Sequence, residues 1–482
     1  MTVPYMMLSP LIALAVTAVL LLTLSALAPR QRVVATALTV VGLLAACGLI
    51  LWGWREARTT FGGTATVDPL AVAFGLLGMA TVIVTALLSL PYGTRERWES
   101  GDYEALLLFA AGGMLVLAVA SDLLVLLIGI ELLALPLYLL AGFPRGRETA
   151  LRYFLLGVVA LAIQAYGTAL VYGAVGSTAF SAIAAVAIQK SGGTLPLLLV
   201  GLSLVLTGLG FKLALVPFHQ WAPDAYSGAP TPVLVILAVG TKVAVIAAFV
   251  RLLYGAAPGL QPYWGPMVAA VALVTVLVGS IGVLLQREMG RLIAYSGIAQ
   301  IGLVVLALAT GSGAGARAAF LGLVAYAAAT GALVTVLGIV RQPGSDDRTL
   351  PALGGLMTRH RGVAFALIIA LLSLGGIPPT AGFAGKLALL TAALNGVNAW
   401  VVFVAALASV ATVAAYVRVF LAILPPSPFP RREGESDAPM ATVQASPLLL
   451  LTLIAVTLVT IIAGVAPWVI GWSGKLLGGG GF

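Results

Sequence analysis

The chain has 482 residues, 61% hydrophobic and only 9% charged, with a mean hydropathy of +1.12, far more apolar surface than a soluble fold can hide. Its 25 Lys and Arg against 16 Asp and Glu give a formal charge of +9. A single cysteine, Cys47, excludes a disulfide framework within the chain, and two histidines, His219 and His360, cannot supply the repeated ligands of haem chains or Cys/His clusters.

Fourteen apolar runs follow in chain order: about 8–28, 33–54, 68–90, 104–120, 121–140, 148–174, 195–227, 230–254, 264–286, 291–310, 316–340, 361–393, 397–424 and 445–473. Most approach the roughly 20 residues that cross a hydrocarbon core of about 30 Å at about 1.5 Å per residue. The expectation is an all-α polytopic membrane protein with about 14 transmembrane helices in one membrane domain, 1–482. The first run ends in AlaLeuAla at 26–28, which resembles a signal-peptidase site. No basic segment precedes it, Arg30 being the first cation, so the run reads as a retained span. Cys47 reads as inert packing on the lipid side.

Most of the Lys and Arg fall at the turnarounds on the side facing away from the N-terminus. The positive-inside rule therefore puts both termini outside the cytoplasm of a bacterial-type inner membrane. The charge needs no acidic partner to explain it. The charged connection 341–362 and the Pro-rich segment 425–439 lie on that positive side and read as solvated loops.

Two runs are interrupted alike. Residues 195–227 break around Pro217, and residues 361–393 break at GGIPPTAGFAGK. Proline removes an amide donor and clashes with the preceding turn, so each run becomes two half-helices with unpaired backbone groups at depth. The broken run is the fourth of five in 104–254 and the fourth of five in 264–424. Five is odd, so the second unit enters from the opposite side, and two inverted five-helix repeats are expected. Three helices (1–90) precede them and one (445–473) follows.

Four ionisable residues sit inside runs: Glu131, Lys212, Lys242 and Lys386. A charge at mid-membrane costs about 2.5–3.5 kcal/mol even on lenient insertion scales, so such residues read first as functional. Three lysines against one carboxylate cannot all be buried ion pairs. An amine's hold on its proton responds to desolvation and to nearby charge. A carboxylate that moves relative to Lys212 therefore acts as a switch, and the helix breaks admit the water that proton hopping needs.

Other polar residues carry plainer readings. Asp68 and Asp122 read as helix N-caps, Asp68 with Pro69 in the first turn. Asp224 reads as a turn or cap residue. Arg152 and Gln164 line one span, with Arg152 near enough to its end to snorkel. His219 at the break either gates protons or packs as a hydrogen-bonded imidazole. Tyr295, Ser296 and Gln300 either carry a water chain or simply pack. No GxGxxG follows a predicted strand and no GxxxxGK[ST] occurs, so dinucleotides and nucleotide phosphates have no evident seat.

The stretches GFKLALVPFHQWAPDAYSGAPTP, SDLLVLLIGIELLALPLY, RLIAYSGIAQIG and LSLGGIPPTAGFAGK resemble the antiporter-like membrane subunits of proton-pumping NADH:quinone oxidoreductase (respiratory complex I). These are relatives of multisubunit cation/proton antiporter and membrane-bound hydrogenase subunits, which form the alternative reading. The resemblance covers about 103–416, and the length with ELLALPLY and GAPTPV is most like subunit N (subunit 2). It implies that Glu131, Lys212, Lys242 and Lys386 form a proton path coupled to quinone reduction elsewhere in an enzyme complex. It implies no cofactor and no metal on this chain, with flavin (FMN), iron-sulfur clusters and quinone held by partner subunits, and further antiporter-like subunits as neighbours. Three positions depart from the family pattern: Arg152 and Gly290 stand where relatives usually have lysine, and Gln300 where they often have histidine. A guanidinium stays protonated and a carboxamide takes up no proton, so direct relay through 152 or 300 is not expected.

Overall fold

The computed structural model describes residues 5–28, 30–53, 58–96, 98, 101–144, 146–189, 193–341, 348–424, 442–443 and 446–465. The Pro-rich segment 425–439 and the end of the last expected span, 466–473, lie outside them. Three helices come first: α1 (Tyr5–Leu27), α2 (Arg32–Gly53) and α3 (Pro69–Arg95). A small antiparallel hairpin, β1 (Arg58–Thr60) with β2 (Ala65–Val67), joins α2 to α3. Then come α4 (Asp102–Val119), α5 (Leu123–Ala141), α6 (Arg147–Val175), a short α7 (Phe180–Gln189), α8 (Leu195–Leu213) and α9 (Trp221–Gly228).

The next span starts as α10 (Val233–Val235), passes through a π-helical turn at Ile236–Gly240, and continues as α11 (Thr241–Val250) and a second π-helical turn, Arg251–Ala256. It is followed by α12 (Gln261–Leu285), α13 (Met289–Leu308), α14 (Gly313–Ile339), a single turn α15 (Leu356–Arg359), α16 (Arg361–Gly375), α17 (Ala381–Leu394), α18 (Ala399–Ala422) and α19 (Pro447–Val465). Strand β3 (Val340–Arg341) pairs with β4 (Thr442–Val443).

Among the described residues, 13 helices are long and apolar enough to cross a membrane. The fourteenth expected span is present as the two shorter helices α16 and α17. Helix α7 was not expected. It buries Phe180, Ile183 and Ala187 and leaves Ile188 exposed, a one-sided pattern too short to read as a span.

The span Val233–Ala256 is fully enclosed by the others, which places Lys242 at the centre of the bundle. Outer helices carry exposed Leu, Val, Ile and Phe, such as Val19, Val41, Val159 and Phe403, as a surface solvated by lipid or neighbouring apolar chains requires. Helix pairs approach closely where side chains are absent. A Cβ at Gly113 would meet the Leu133 amide at 2.3 Å, and one at Gly279 the Ala299 amide at 2.4 Å, so α4–α5 and α12–α13 are built the same way.

The two breaks also match. Helix α8 ends with Ala214 in the left-handed region (φ 59°), and α16 ends with Gly376 there (φ 76°). In each case the next amide reaches back five residues, Leu215 to the Gly210 carbonyl and Ile377 to that of Leu372, both at 2.9 Å. Each also has a cis X-Pro bond two residues on, at Val216-Pro217 and Pro378-Pro379. Ala214 holds a conformation that its Cβ disfavours, local strain of the kind found at functional positions.

Asp68 caps α3 through the Ala71 amide (2.9 Å) and Asp122 caps α5 through the Leu124 amide (2.7 Å), as expected. Both do more. Asp122 also accepts from Thr178 Oγ1 (2.8 Å), tying the α6–α7 connection to the start of α5. Asp68 pairs with Arg251 (2.7 Å), whose guanidinium also donates to the carbonyls of Thr66 and Ala118. Replacing Asp122 by Ala removes a cap and a buried partner together. We expect Asp122→Ala to lower stability by about 1–2 kcal/mol, read as a fall in the thermal unfolding midpoint in detergent, with pumping per NADH unchanged.

Candidate functional site

Lys212 occupies the last turn of α8, two residues before the chain leaves the helix at Ala214. Its side chain is 2% exposed. The ammonium donates to Tyr138 Oη at 2.9 Å and lies over the Tyr138 ring at 4.3 Å and the Tyr153 ring at 5.0 Å. Tyr138 follows Glu131 by seven residues on α5, so two turns of helix put both on the side facing α8. Glu131 remains half-exposed, and no ion pair within 4.0 Å joins it to any lysine among the described residues.

Lys242 follows the π-helical turn. That turn presents the Leu237 carbonyl to two side chains, Tyr226 Oη at 2.8 Å and Thr241 Oγ1 at 2.6 Å. Lys242 donates to Tyr226 Oη at 3.3 Å and sits 5.1 Å from the Trp221 ring. Tyr153 and Trp221 are stacked, 4.4 Å between centroids and 6° apart in plane, and Trp221 donates to the Phe211 carbonyl at 2.7 Å. An aromatic layer therefore lies between the two amines. Cation–π attraction, about 0.5–2 kcal/mol per contact, offsets part of the cost of burying them without a counter-ion.

Lys386 lies beside the second break. Its ammonium donates to the Gly375 carbonyl at 3.1 Å, and its stem crosses Gly376, where a Cβ would meet the Lys386 Cδ at 2.7 Å. Gln300 Nε2 donates to the adjacent Leu374 carbonyl at 2.8 Å. The α16 terminus, carrying the partial negative charge of unpaired carbonyls, thus gathers Gln300 and Lys386 on neighbouring oxygens. Ser296 pairs with Tyr416 at 2.7 Å one turn away on α13.

The remaining expected residues lie elsewhere. Arg152 is exposed and pairs with Glu148 at 2.5 Å, so it neither enters the bundle nor meets a lysine among the described contacts. His219 is half-buried in the turn after α8, and none of the contacts around Lys212 or Lys242 includes it. Gln164 is buried and packs across Gly208 of α8, with Nε2 unpartnered, as are the buried hydroxyls of Tyr153 and Ser280. Such groups in an otherwise apolar interior are ordinarily satisfied by water. Among the described residues no three His, Cys, Asp or Glu come together as a metal site.

A family described as NADH:quinone oxidoreductase/Mrp antiporter, transmembrane, matches residues 120–412. NADH-quinone oxidoreductase subunit N of Chloroflexus aggregans is 37% identical over 440 residues, 89% of either chain. Subunit N 1 of Symbiobacterium thermophilum is 38% identical over 481 residues, 95% of either chain. The chain belongs to the antiporter-like membrane subunits of NADH-quinone oxidoreductase, and is most like subunit N.

A chain of respiratory complex I from Thermus thermophilus superposes with a TM-score of 0.80 at 34% identity, covering 96% of this chain and 98% of that one. A chain of the Mrp complex from Dietzia sp. DQ12-45-1b gives 0.82 at 23% identity over 99% and 97%, a likeness of fold. Gly290 lies where two helices come close. A Cβ there would meet the Tyr226 carbonyl at 2.7 Å and the Glu288 carboxylate at 2.9 Å, so α9 approaches α13 where no side chain fits.

Residue reading missed the aromatic residues around the amines. Tyr138 was within reach of a periodicity argument from Glu131; Tyr153, with no such spacing to a lysine, was not. Trp221 and Tyr226 sit in the same stretch as Lys212. Asp224, expected as a turn or cap residue, lies in the first turn of α9 and pairs with Arg291 of α13. Arg348 falls in the connection read as a solvated loop, yet is largely buried against the end of α9, donating to the carbonyls of Tyr226, Ser227 and Ala229.

Proposed function

We propose that Glu131, Lys212, Lys242 and Lys386 carry protons across the membrane in a complex that oxidises NADH and reduces quinone. One observation supports this most: two amines, Lys212 and Lys242, are buried in the bundle and a third, Lys386, is partly buried at the second break, each donating to an uncharged oxygen and none paired with a carboxylate among the described residues. A structural lysine is cheapest when paired or snorkelling, and these do neither. Lys212 and Lys386 also lie at the two helix breaks, where backbone carbonyls and water replace lipid.

In this reading Glu131 resets the affinity of Lys212 as its distance changes. The proton passes between the lysines along hydroxyl groups and water, with Tyr226 beside Lys242 and the Ser296–Tyr416 pair and Gln300 toward Lys386. Gln300 orients water and takes up no proton. Arg152 supplies a fixed positive field. His219 stays a secondary member at the break. The matched breaks and the matched α4–α5 and α12–α13 contacts support two five-helix units, 104–254 and 264–424, inverted relative to each other. The charge distribution supports both termini outside the cytoplasm. Flavin, iron-sulfur clusters and quinone belong to partner chains, and other antiporter-like subunits are the membrane neighbours.

Two measurements test the reading. The tagged chain, purified from native membranes in mild detergent, should bring NADH-oxidising chains with it. Recovery with only the chains of a cation/proton antiporter or a hydrogenase would replace it. Lys386→Met, which keeps the volume and discards the charge, should lower protons moved per NADH in reconstituted vesicles. An unchanged ratio removes Lys386 from the path.

A further inference from the structure

A cavity of about 760 Å³ lies between α6, α9 and α13, with Glu148, Arg152, Tyr153, Trp221, Asp224 and Arg291 on its walls. Four charged side chains make it a place for water. Two of its wall residues are the rings that also face the amines: Trp221 stands 5.1 Å from Lys242 and Tyr153 5.0 Å from Lys212. One stacked aromatic layer thus separates a polar cavity from two lysines that are 1% and 2% exposed. Tyr153 Oη is buried without a partner, so the layer already carries a group able to bind the first entering water.

Trp221 rides on α9, a helix of eight residues with too few internal hydrogen bonds to hold its own place. Within it Trp221 donates to the Phe211 carbonyl at 2.7 Å and Tyr226 to the Leu237 carbonyl at 2.8 Å, and residues from later in the chain clamp the helix from its other side. Arg291 of α13 pairs with Asp224 in its first turn. Arg348, after α14, spreads its guanidinium over the carbonyls of Ser227 (2.5 Å), Ala229 (3.1 Å) and Tyr226 (3.3 Å), with Glu288 at 3.8 Å behind it. A planar fork on the carbonyl end of a helix is a rigid, directional hold. The empty position at Gly290 lets α13 come close enough to complete it.

We propose that α9 is a gate between the charged cavity and the two lysines, held shut by Arg348 and Arg291. These arginines are positioning residues that act through Trp221. When their hold loosens, Trp221 lifts from Tyr153 and water from the cavity reaches Lys242 and Lys212. The segment from 286 onward thereby governs access to amines that belong to the earlier half of the chain. The inference rests on the relay reading above.

The test uses the whole complex in sealed vesicles, with Arg348→Met and Trp221→Leu measured for protons moved per NADH and for passive proton leak under an imposed voltage. Both variants should leak severalfold more than the parent and pump fewer protons per NADH while NADH oxidation continues. Arg348→Lys, which keeps the cation without the fork, should recover part of the ratio, a rescue that a general packing defect would not give. Asp224→Asn, at an exposed position that folding tolerates, should shift both readouts the same way to a smaller degree. Parental leak and ratio in Arg348→Met and Trp221→Leu overturn the gate. If Arg348→Met fails to assemble, Trp221→Leu and Asp224→Asn decide by the same criterion. Lys212→Ala, run in parallel, keeps the two ideas apart: lost pumping there with parental gate variants sinks the gate alone, and retained pumping in Lys212→Ala sinks the relay.

Discussion

Lys212→Ala is expected to abolish or strongly reduce proton pumping and to slow coupled quinone reduction, while the complex still assembles. The amine has one hydrogen-bond acceptor, Tyr138 Oη, and two rings within 5.0 Å, so its removal breaks no ion pair. Truncation leaves room for the lost stem, and a structural cost of about 2 kcal/mol or more follows from that alone. Lys212→Met separates the two effects. It fills most of the space with apolar atoms and is expected to be neutral or slightly stabilising, because an unpaired buried charge has been removed. Pumping should nevertheless be lost. The measurement is protons moved per NADH oxidised, together with the thermal midpoint of the purified complex. A methionine variant that pumps at the parental ratio would count decisively against a role for the amine.

Gly157→Ala should disable the same site from the neighbouring helix. A Cβ at position 157 would stand 1.8 Å from Tyr138 Oη and 2.5 Å from its Cζ, well inside contact distance. Tyr138 has no free direction in which to yield, being 4% exposed and packed edge-on against Tyr153 at 4.6 Å and Phe154 at 5.7 Å. The ring must leave Lys212, taking the hydroxyl acceptor with it. Overpacking of this kind costs about 1–3 kcal/mol, and pumping should fall to the level of Tyr138→Leu. Combining the two changes tests the cause. If the clash with the ring is responsible, Gly157→Ala in a Tyr138→Leu background costs little further stability, giving a coupling of about 1 kcal/mol or more. Strictly additive losses would place the effect of Gly157 elsewhere.

Much of the architecture was legible along the chain because its determinants are local. Hydropathy, proline and glycine act over one or two turns, and they located the spans, the two interrupted helices at Pro217 and at Gly375–Pro379, and the caps at Asp68 and Asp122. Intramembrane charge is also visible residue by residue, which singled out Glu131, Lys212, Lys242 and Lys386. The small helix α7 was missed because ten residues of one-sided apolarity resemble a loop as much as an element. The π-helical turn before Lys242 was missed because α and π backbones share the same composition over five residues.

The surroundings of the charges were settled only by tertiary packing. Lys212 and Tyr138 are 74 residues apart, Asp224 and Arg291 67, and Arg251 and Asp68 183. Nothing in local pattern states which helix faces which. The sequence by itself determined that this chain lies in a membrane, where its helices break, and which ionisable side chains fall inside its apolar runs. The tertiary structure decided that Lys212 and Lys242 lie against aromatic rings rather than carboxylates, that Gln300 and Lys386 meet at one helix end, and that α9 is held by arginines from the other half. The reason is physical. Burial cost depends on a residue and its immediate chain, whereas the groups that offset it come from whichever helices the bundle brings alongside.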